Sequence, residues 1–374
     1  MKILIEAFNF YPVLGGVERS ILEISKEFQK KGHEVSVICS NLSNKLASKE
    51  TYKGIKIIRY PIPYLNKKIK FLWPLFHRKV IRKYLRALPN DFDIIFCSNF
   101  LYGGLNKKIF RNAEIIYRLP VIIKENLKSK MEVGVGFFIY SKIVERIERR
   151  TVKENKIMVY SRNLVAQIKK AHSIYSDKIR VIRPGIDMDK FNPGKGDKYP
   201  VISVCRFAPE KNLLSLVKVF QKSQNRIYLV GEGGEGAKLI KSIKQNRLEK
   251  KIILLGGKKN PEDYLKKSKI FLLTSKYEAF GLVLLEAMAS GLPCIAFKPD
   301  GKKIITASDE IIKDKKTGFL VKDEKEMAEK IDLLLSDEKL RKKMGKAARK
   351  EAEKYSWEKC AEEILKFANK KPKY

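Results

Sequence analysis

The chain has 374 residues, which is more than a single hydrophobic core usually holds, so two domains are expected. Of these residues 44% are hydrophobic, which excludes a disordered chain. It carries 79 Lys and Arg against 42 Asp and Glu, a formal net charge of +37. Three explanations of this charge stay open: nucleic-acid binding, attraction to an anionic membrane or polyanionic substrate, and a lysine-rich proteome. Arginine-glycine repeats, zinc-finger spacing and the aromatic signature of RNA recognition are all missing, so the charge alone does not predict a nucleic-acid-binding protein.

The N-terminal half predicts alternating strands and helices. MKILIEAF forms a first strand, followed by a Gly15-Gly16 turn, an amphipathic helix VERSILEISKEFQKKG that ends at Gly32, and a second strand EVSVICS. Four further strands are predicted at IKIIRY, DIIFCSN, AEIIYRLP and KIMVYS. Because Met1-Lys2 leads directly into the first strand and no apolar stretch approaches about 18 residues, we expect no signal peptide and a cytoplasmic protein.

The C-terminal half repeats this alternation. Its predicted strands are PVISVCRF, NRIYLVGEG, KIILLGG, IFLLTS and PCIAF, each followed by a helix or a loop. Continuous apolar runs of this kind are typical of parallel strands covered on both faces. The sequence therefore predicts an α/β fold of two doubly wound, Rossmann-like domains, at residues 1–182 and 195–353, with a Pro- and Gly-rich linker at 183–194.

The cysteines and histidines show no ligand spacing. Five cysteines are scattered without any C-x-x-C pair, several of them in apolar strands, so we expect buried reduced thiols: Cys39, Cys97, Cys205, Cys294 and Cys360. The three histidines, at positions 33, 77 and 172, are likewise not placed as metal ligands.

Two motifs are weak signals. GEGGEG at 231–236 fits G-x-G-x-x-G, but the following strand ends in LLGG without the acidic residue that a dinucleotide site needs. Asp187-Met188-Asp189 fits the D-x-D pattern by which metal-dependent glycosyltransferases hold manganese. It lies in the linker rather than at a strand end, where a capping pair is the commoner explanation.

The remaining signals point to anion and sugar binding. Arg206 and Lys211 flank a loop between a strand and a helix, where two cations make a diphosphate clamp or, alternatively, are two more surface charges. Gly15-Gly16 and Gly281 stand at two other helix N-termini. Glu286 is the one charged residue in an apolar helical run, so it is expected to be buried and to need a partner.

These residues resemble a known family. EAFGLVLLEAMASGLP, with Glu278 and Glu286 in an E-x7-E spacing, is similar to the retaining glycosyltransferases of family 4, which have the GT-B fold. The likeness runs over nearly the whole chain through YPVLGG, RPGIDMDKFNP, RFAPEKN, LVGEG and KTGFLV. It implies that the two domains face each other across a cleft and that the C-terminal domain holds most of a nucleotide-diphosphate sugar. It also implies that residues 354–374 form a helix that crosses back to the N-terminal domain, as their amphipathic pattern allows.

The resemblance assigns roles to individual residues. Glu286 binds the ribose hydroxyls, and Glu278 contacts hydroxyls of the transferred sugar. Arg206 and Lys211 neutralise the diphosphate as the glycosidic bond breaks and complete the catalytic group with Glu278. These cations take the place of a metal, so neither a metal nor a cofactor is expected. The donor site further includes Gly15, Gly16, Phe280, Gly281, Leu282, Gly257 and Lys258.

The N-terminal half departs from the family pattern. Many members carry histidines after the strands that correspond here to DIIFCSN and EIIYRLP, whereas this chain has Asn99 and Arg118-Leu119-Pro120. We expect Asn99 and Arg118 to replace these histidines on the acceptor side. The loop at 298–312 is also longer than the common form of the family.

We therefore expect a retaining, metal-independent hexosyltransferase of polysaccharide or glycoconjugate biosynthesis. It would move a hexose from a UDP- or GDP-linked donor to a glycan acceptor that is lipid-linked or part of the cell envelope. The alternative is a catalytically inactive protein that binds a nucleotide sugar or nucleic acid, supported by the missing histidine and the charge. A sugar-nucleotide epimerase of the same fold has no support in the N-terminal motifs.

Residues 61–90 predict peripheral contact with an anionic membrane on its cytoplasmic face. They carry eight Lys and Arg and no acidic residue, with Phe71, Trp73 and Phe76 among them. The alternative is an ordinary helix whose aromatic side chains pack inward, because Pro74 is expected to interrupt any long amphipathic helix.

Overall fold

The chain folds into two α/β units. The computed structural model describes residues 1–12, 15–66, 69–119, 135–172, 178–194 and 198–369. The chain divides into two compact units: unit 1 comprises residues 1–184 and 357–374, and unit 2 comprises residues 185–356. Residues 185–194, which the sequence analysis assigned to a linker, are counted with unit 2.

Unit 1 contains an eight-stranded sheet with the order β3-β4-β2-β1-β5-β6-β7-β8. All neighbouring strands are parallel except β3 and β4, which form an antiparallel pair. The strand order reverses between β1 and β5, so the loops that follow these two strands lie at a switch point. The strands are β1 (Lys2–Glu6), β2 (Glu34–Asn41), β3 (Lys49–Tyr52), β4 (Ile55–Pro61), β5 (Ile94–Cys97), β6 (Glu114–Arg118), β7 (Lys156–Val159) and β8 (Ile179–Val181).

Six helices lie in the described residues of unit 1. They are α1 (Gly16–Lys30), α2 (Trp73–Arg86), α3 (Asn106–Ile109), α4 (Val135–Glu154), α5 (Arg162–His172) and α13 (Trp357–Asn369). The apolar side of α1 contributes Ile21, Ile24 and Phe28 to one core, and α13 contributes Cys360 and Ile364 to the same core. Both helices therefore cover one face of this sheet, although one of them comes from the far end of the chain.

Unit 2 contains a six-stranded, fully parallel sheet with the order β11-β10-β9-β12-β13-β14. In chain order this is the 3-2-1-4-5-6 arrangement of dinucleotide-binding folds, with its switch point between β9 and β12. The strands are β9 (Tyr199–Val204), β10 (Ile227–Val230), β11 (Ile252–Gly256), β12 (Ser268–Leu273), β13 (Cys294–Phe297) and β14 (Gly318–Val321). The helices are α6 (Leu214–Lys222), α7 (Gly236–Gln245), α8 (Pro261–Leu265), α9 (Leu282–Ala289), α10 (Ser308–Ile311), α11 (Glu324–Ser336) and α12 (Glu338–Ala352).

The predicted fold class is confirmed, since both units are doubly wound α/β folds. All eleven strands predicted from apolar runs are present, and three more are found: β3, β8 and β14. Pro74 does not interrupt a helix: it is the second residue of α2, where a missing backbone N–H costs nothing. The helix therefore begins at Trp73 rather than breaking beside it.

Candidate functional site

The predicted catalytic residues lie at the switch point of unit 2. Arg206 follows β9 by two residues, and Lys211 ends a 3-10 turn at Pro209–Lys211 that leads towards α6. Glu278 lies in the loop between β12 and α9. Because β9 and β12 are neighbours, their carboxyl ends bring the two loops together. Ligands of open α/β sheets bind at this position.

Lys211 and Glu278 form a half-enclosed ion pair. The Lys211 Nζ contacts Glu278 Oε1, and the side chains are 17% and 14% exposed. Ser275 Oγ donates a second hydrogen bond to Glu278 Oε1 at 3.0 Å. Burial alone would lower the pKa of Lys211, but the neighbouring Glu278 carboxylate raises it above the usual value. Lys211 is therefore held as a cation at the end of the sheet.

Arg206 is held differently. Its side chain is 74% exposed, and its Nη2 donates to Glu210 Oε1 at 2.9 Å. The backbone carbonyl of Glu210 accepts from the amides of Lys276 (2.9 Å) and Tyr277 (3.4 Å), directly before Glu278. Glu210 thus joins the loop after β9 to the loop after β12. Burial would raise the pKa of Glu210, but its own backbone amide and Arg206 lower it overall.

Helix α9 begins at the predicted glycine. Gly281 precedes the helix with φ +96°, a left-handed conformation that favours glycine, and no side chain caps this end. Phe280 is buried against Tyr355 with ring centroids 6.0 Å apart, and Leu282 is the first residue of the helix. Glu286, expected to be buried, is only half-buried, so the fully dry environment inferred from its apolar neighbours is wrong.

Two predicted donor residues follow β11. Gly257 comes directly after Gly256, the last residue of the strand, and Lys258 is exposed. A Cβ atom at Gly257 would lie 2.8 Å from the Glu232 carboxyl carbon, so the Glu232 side chain packs closely over this turn. The loop after β10 and the loop after β11 therefore meet here.

The remaining predicted donor residues, Gly15 and Gly16, lie in unit 1. Gly15 precedes α1 in an extended conformation with no side-chain cap, and Gly16 is the first residue of the helix. The Glu18 carboxylate lies over this turn, since a Cβ at Gly15 would be 2.7 Å from its Oε2. The α1 amides at this end have no acceptor within their own helix.

The two proposed acceptor-side residues are both buried. Asn99 is 6% exposed, and its Oδ1 accepts from the Leu101 amide at 3.0 Å. Arg118 is 2% exposed, and its Nη1 donates to Ser20 Oγ at 2.6 Å and to the Tyr160 hydroxyl at 3.1 Å. Pro120, which follows the predicted motif, lies outside the described residues.

The weak motifs gain no support. Asp187 Oδ1 accepts from the backbone amides of Asp189 (3.1 Å) and Lys190 (2.9 Å), so it caps a turn. In the described parts of the chain, no three His, Cys, Asp or Glu side chains are grouped closely enough to hold a metal ion. All five cysteines are free.

Sequence reasoning missed two contributors to this site. Glu210 stands inside the RFAPEK segment without an assigned role, and Ser275 was not considered. An acidic residue four positions after Arg206 was the available signal for Glu210, whereas nothing local marks Ser275, whose contact with Glu278 depends on the path of the loop.

Comparison with known proteins gives matches along most of the chain. The family model "Glycosyltransferase Family 4" matches residues 14–190, and the model "Glycosyl transferases group 1" matches residues 186–351. The N-acetyl-alpha-D-glucosaminyl L-malate synthase of Bacillus anthracis is 25% identical, over 93% of this chain and 92% of that protein. An N-acetylgalactosaminyltransferase of Campylobacter jejuni, named for a diphospho-undecaprenol-linked substrate, is 26% identical over 94% of this chain and 96% of its own length.

Solved structures share the fold. The sucrose-phosphate synthase of Thermosynechococcus elongatus gives a TM-score of 0.82 at 18% identity, over 98% of this chain and 97% of its own. The Anabaena protein HepE, solved with UDP and glucose, gives a TM-score of 0.74 at 18% identity, over 98% of both chains. Both units thus have the architecture found in these glycosyltransferases.

Proposed function

The chain belongs to the family 4 glycosyltransferases, enzymes of the GT-B fold that use nucleotide sugars, and we propose that it transfers a hexose with retention of configuration. The proposed donor is UDP- or GDP-linked, and the proposed acceptor is a lipid-linked or cell-envelope glycan. The observation that carries the proposal is the group of Arg206, Lys211 and Glu278 at the switch point of unit 2. The comparisons give no support to an inactive nucleotide-sugar or nucleic-acid binding protein.

The proposed chemistry is leaving-group stabilisation. Two cations at the end of a parallel sheet suit the diphosphate of a sugar nucleotide, whose negative charge grows as the glycosidic bond breaks. The leaving phosphate oxygen accepts the proton of the acceptor hydroxyl, which attacks from the face that the diphosphate leaves. This step needs neither a protein nucleophile nor a metal, because Arg206 and Lys211 supply the positive charge.

Glu278 and Glu210 are the carboxylate partners that a bound diphosphate would replace. Lys211 is paired with Glu278, and Arg206 is paired with Glu210. A diphosphate that binds both cations competes with these carboxylates. Glu278, released from Lys211, is then able to accept hydrogen bonds from hydroxyls of the transferred sugar, while Glu286 accepts those of the ribose.

Thermal shift and steady-state kinetics test the donor site. UDP, GDP and ADP and their hexose conjugates are screened with and without EDTA. The melting temperature is expected to rise with ligand concentration as mass action requires, and by the same amount with and without EDTA. Arg206→Ala and Lys211→Ala are expected to lower kcat strongly, and Glu286→Ala to raise the donor KM. Lys346→Ala, an exposed cation on α12 of the same unit, serves as the control. Unchanged transfer and hydrolysis in all three site variants would refute the proposal.

We further propose that unit 1 contacts an anionic membrane through its exposed apolar and basic surface. Within residues 61–90 the large exposed apolar side chains are Tyr64, Ile69, Leu75 and Phe76, and Lys70 is exposed among them. Phe138 is 61% exposed on α4, which packs against α2, and Lys142 lies over its ring. Rings beside cations suit the headgroup region of an anionic bilayer.

The structure changes which residues test this contact. Trp73 is half-buried and packs edge-on against His77 and Phe8, so its predicted place at the membrane is replaced by Phe76 and Leu75. Lys67 and Lys68 lie outside the described residues. In the described part of the chain no helix is both long and apolar enough to span a bilayer.

Flotation with liposomes checks the proposal. Recovery is expected to need anionic lipid, to weaken with salt, and to drop when Lys70, Leu75 and Phe76 are replaced together by Gln, Ser and Ser. Replacement of Arg111, an exposed arginine before β6, is the control. Equal recovery with neutral and anionic liposomes, or none at low salt, would contradict it.

A further inference from the structure

In the described part of unit 1, one fully buried arginine has no carboxylate beside it. Arg118 is the last residue of β6, and its side chain is among the largest fully buried side chains of the protein. Among the described residues no carboxylate lies within 4.0 Å of its guanidinium. The other fully buried arginine, Arg59, has a partner in Glu50 at 2.7 Å. Of these two buried guanidinium groups, that of Arg59 is therefore neutralised by a carboxylate and that of Arg118 is not.

With the described residues, Arg118 makes only neutral contacts. Its Nη1 donates to the hydroxyls of Ser20 and Tyr160, and its Cζ lies 5.6 Å from the centroid of the Tyr160 ring. Its Nε and Nη2 are buried and have no hydrogen-bond partner among the residues that the structure describes. An arginine fork of this kind matches the two oxygens of a carboxylate or a phosphate.

The surroundings of Arg118 favour an anion. Ser20 belongs to the second turn of α1 and donates to the Val17 carbonyl at 2.6 Å, so Arg118 reaches to within one turn of the start of that helix. The N-terminus of α1, a helix of 15 residues, carries partial positive charge and has no side-chain cap on Gly15. The Glu18 carboxylate lies over the Gly15 turn, 2.7 Å from the position of a Cβ there, so an incoming anion competes with it at this helix end. Two sources of positive potential therefore meet at this end of unit 1.

We infer that Arg118, with the hydroxyls of Ser20 and Tyr160 and the N-terminus of α1, forms a receptor for a carboxylate or phosphate group carried by a substrate. The inference rests on the proposed function, because it assigns a charged group to one of the two molecules that the transferase joins. A buried cation without a partner is costly, and an anion that donates no proton and accepts two N–H bonds removes that cost.

A structural role for Arg118 makes different predictions. If the guanidinium served only to hold Ser20 and Tyr160, its loss would destabilise unit 1 equally at every anion concentration. If it serves an anion, Arg118→Met removes an uncompensated charge, so the variant is at least as stable as the wild type without anion and loses the response to anion.

Inorganic phosphate is the probe for the receptor. The melting temperature of the full chain is measured against phosphate concentration at constant ionic strength, with saturating UDP to occupy the diphosphate site. The variants are Arg118→Met, Tyr160→Phe and the control Arg111→Met, which removes an exposed arginine from the same unit. We expect the apparent Kd for phosphate to rise at least tenfold in Arg118→Met, to rise less in Tyr160→Phe, and to stay unchanged in the control.

Several results would overturn the inference. They are an equal phosphate response in Arg118→Met and Arg111→Met, a loss of melting temperature in Arg118→Met that is the same at all phosphate concentrations, or an Arg118→Met chain that does not fold while Tyr160→Phe keeps the wild-type response. None of these results bears on Arg206 and Lys211, whose variants test the proposed function. Failure here is therefore distinct from failure of the proposed function.

Pairs of charged and neutral substrates show whether the anion belongs to the donor sugar or to the acceptor. UDP-glucuronic acid against UDP-glucose tests a carboxylate on the donor sugar, and glycerol 3-phosphate against glycerol tests a phosphate on the acceptor. The wild type is expected to prefer the charged member of one pair at least tenfold over the neutral one, and Arg118→Met to lose that preference. A wild type without preference in either pair would refute a substrate anion.

Discussion

Replacement of Glu278 by glutamine should weaken unit 2 more than any other single change at the proposed donor site. The variant leaves Lys211 charged, with its side chain only 17% exposed, and replaces its carboxylate partner by a neutral amide. Breaking a fully buried ion pair costs about 3–5 kcal/mol. Because both side chains keep some contact with water and glutamine still accepts a hydrogen bond, we expect about 2–4 kcal/mol. The pair of Arg206 and Glu210, with one partner 74% exposed, should contribute about 0–1 kcal/mol.

Amide hydrogen exchange is the suitable assay. The two tryptophans, Trp73 and Trp357, both belong to unit 1, so intrinsic fluorescence does not report on unit 2. Peptides from β9 and β12 flank the switch point and report its opening. A loss of 2–4 kcal/mol corresponds to exchange about 30- to 700-fold faster in these peptides, because each 1.4 kcal/mol is a factor of ten.

Two controls isolate the charge. Glu210→Gln should accelerate exchange by no more than about fivefold. Combining Glu278→Leu with Lys211→Met removes both charges and should recover most of the lost protection. Equal exchange in Glu278→Gln and Glu210→Gln, or a double variant as labile as Glu278→Gln, would refute the reasoning from burial.

Three further predictions concern unit 1 and are read from tryptophan fluorescence during denaturant unfolding. Burial raises the pKa of Glu6 to about 8, so the wild type should lose stability as pH rises from 4.5 to 8, by up to about 1.4 kcal/mol per pH unit, and Glu6→Gln should flatten this slope. Burial lowers the pKa of His77 to about 4, and both ring nitrogens lack partners, so His77→Phe should stabilise by about 1 kcal/mol and remove the loss between pH 6.5 and 4. Gly103→Ala should cost about 1–3 kcal/mol, because its Cβ would lie 1.4 Å from Thr151 Oγ1.

For each of these three predictions one outcome would contradict the reasoning. A pH slope that is the same in Glu6→Gln and the wild type would mean that Glu6 is ionised in the fold. A less stable His77→Phe would mean that its ring is hydrogen-bonded. Gly136→Ala, whose Cβ would make only an ordinary 3.5 Å contact with Phe71, is the control for Gly103→Ala and should leave the unfolding midpoint unchanged or raise it.

The sequence was most informative where apolar runs are long and continuous. Eleven strands were predicted in this way, because buried parallel strands need apolar residues on both faces. The three additional strands lack that signal. β3 (KETY) is an edge strand with a polar, half-exposed pattern, β8 has only three residues, and β14 (GFLV) is a four-residue strand in a segment used only as a family motif.

The site was predictable where its residues are local to strand ends. Arg206 and Lys211 flank one loop, so their spacing in the chain already indicates their proximity. The pairing of Lys211 with Glu278 spans 67 positions and depends on β9 and β12 being neighbours, which local pattern does not reveal. The burial of Arg118 was missed for a similar reason: β6 continues through it, and α1 covers it from a distant part of the sequence.

The membership of α13 in unit 1 bears on the order of synthesis. Residues of α13, among them Cys360, Ile364 and Phe367, complete a core whose remaining members come from residues 3–182. Unit 2 lies between these two parts of the core in the chain. A ribosome therefore releases all of unit 2 before it supplies the last side chains of unit 1. We expect the nascent unit 1 to expose the apolar side of α1 during that interval, which makes it a binding site for chaperones until translation of α13 closes the core.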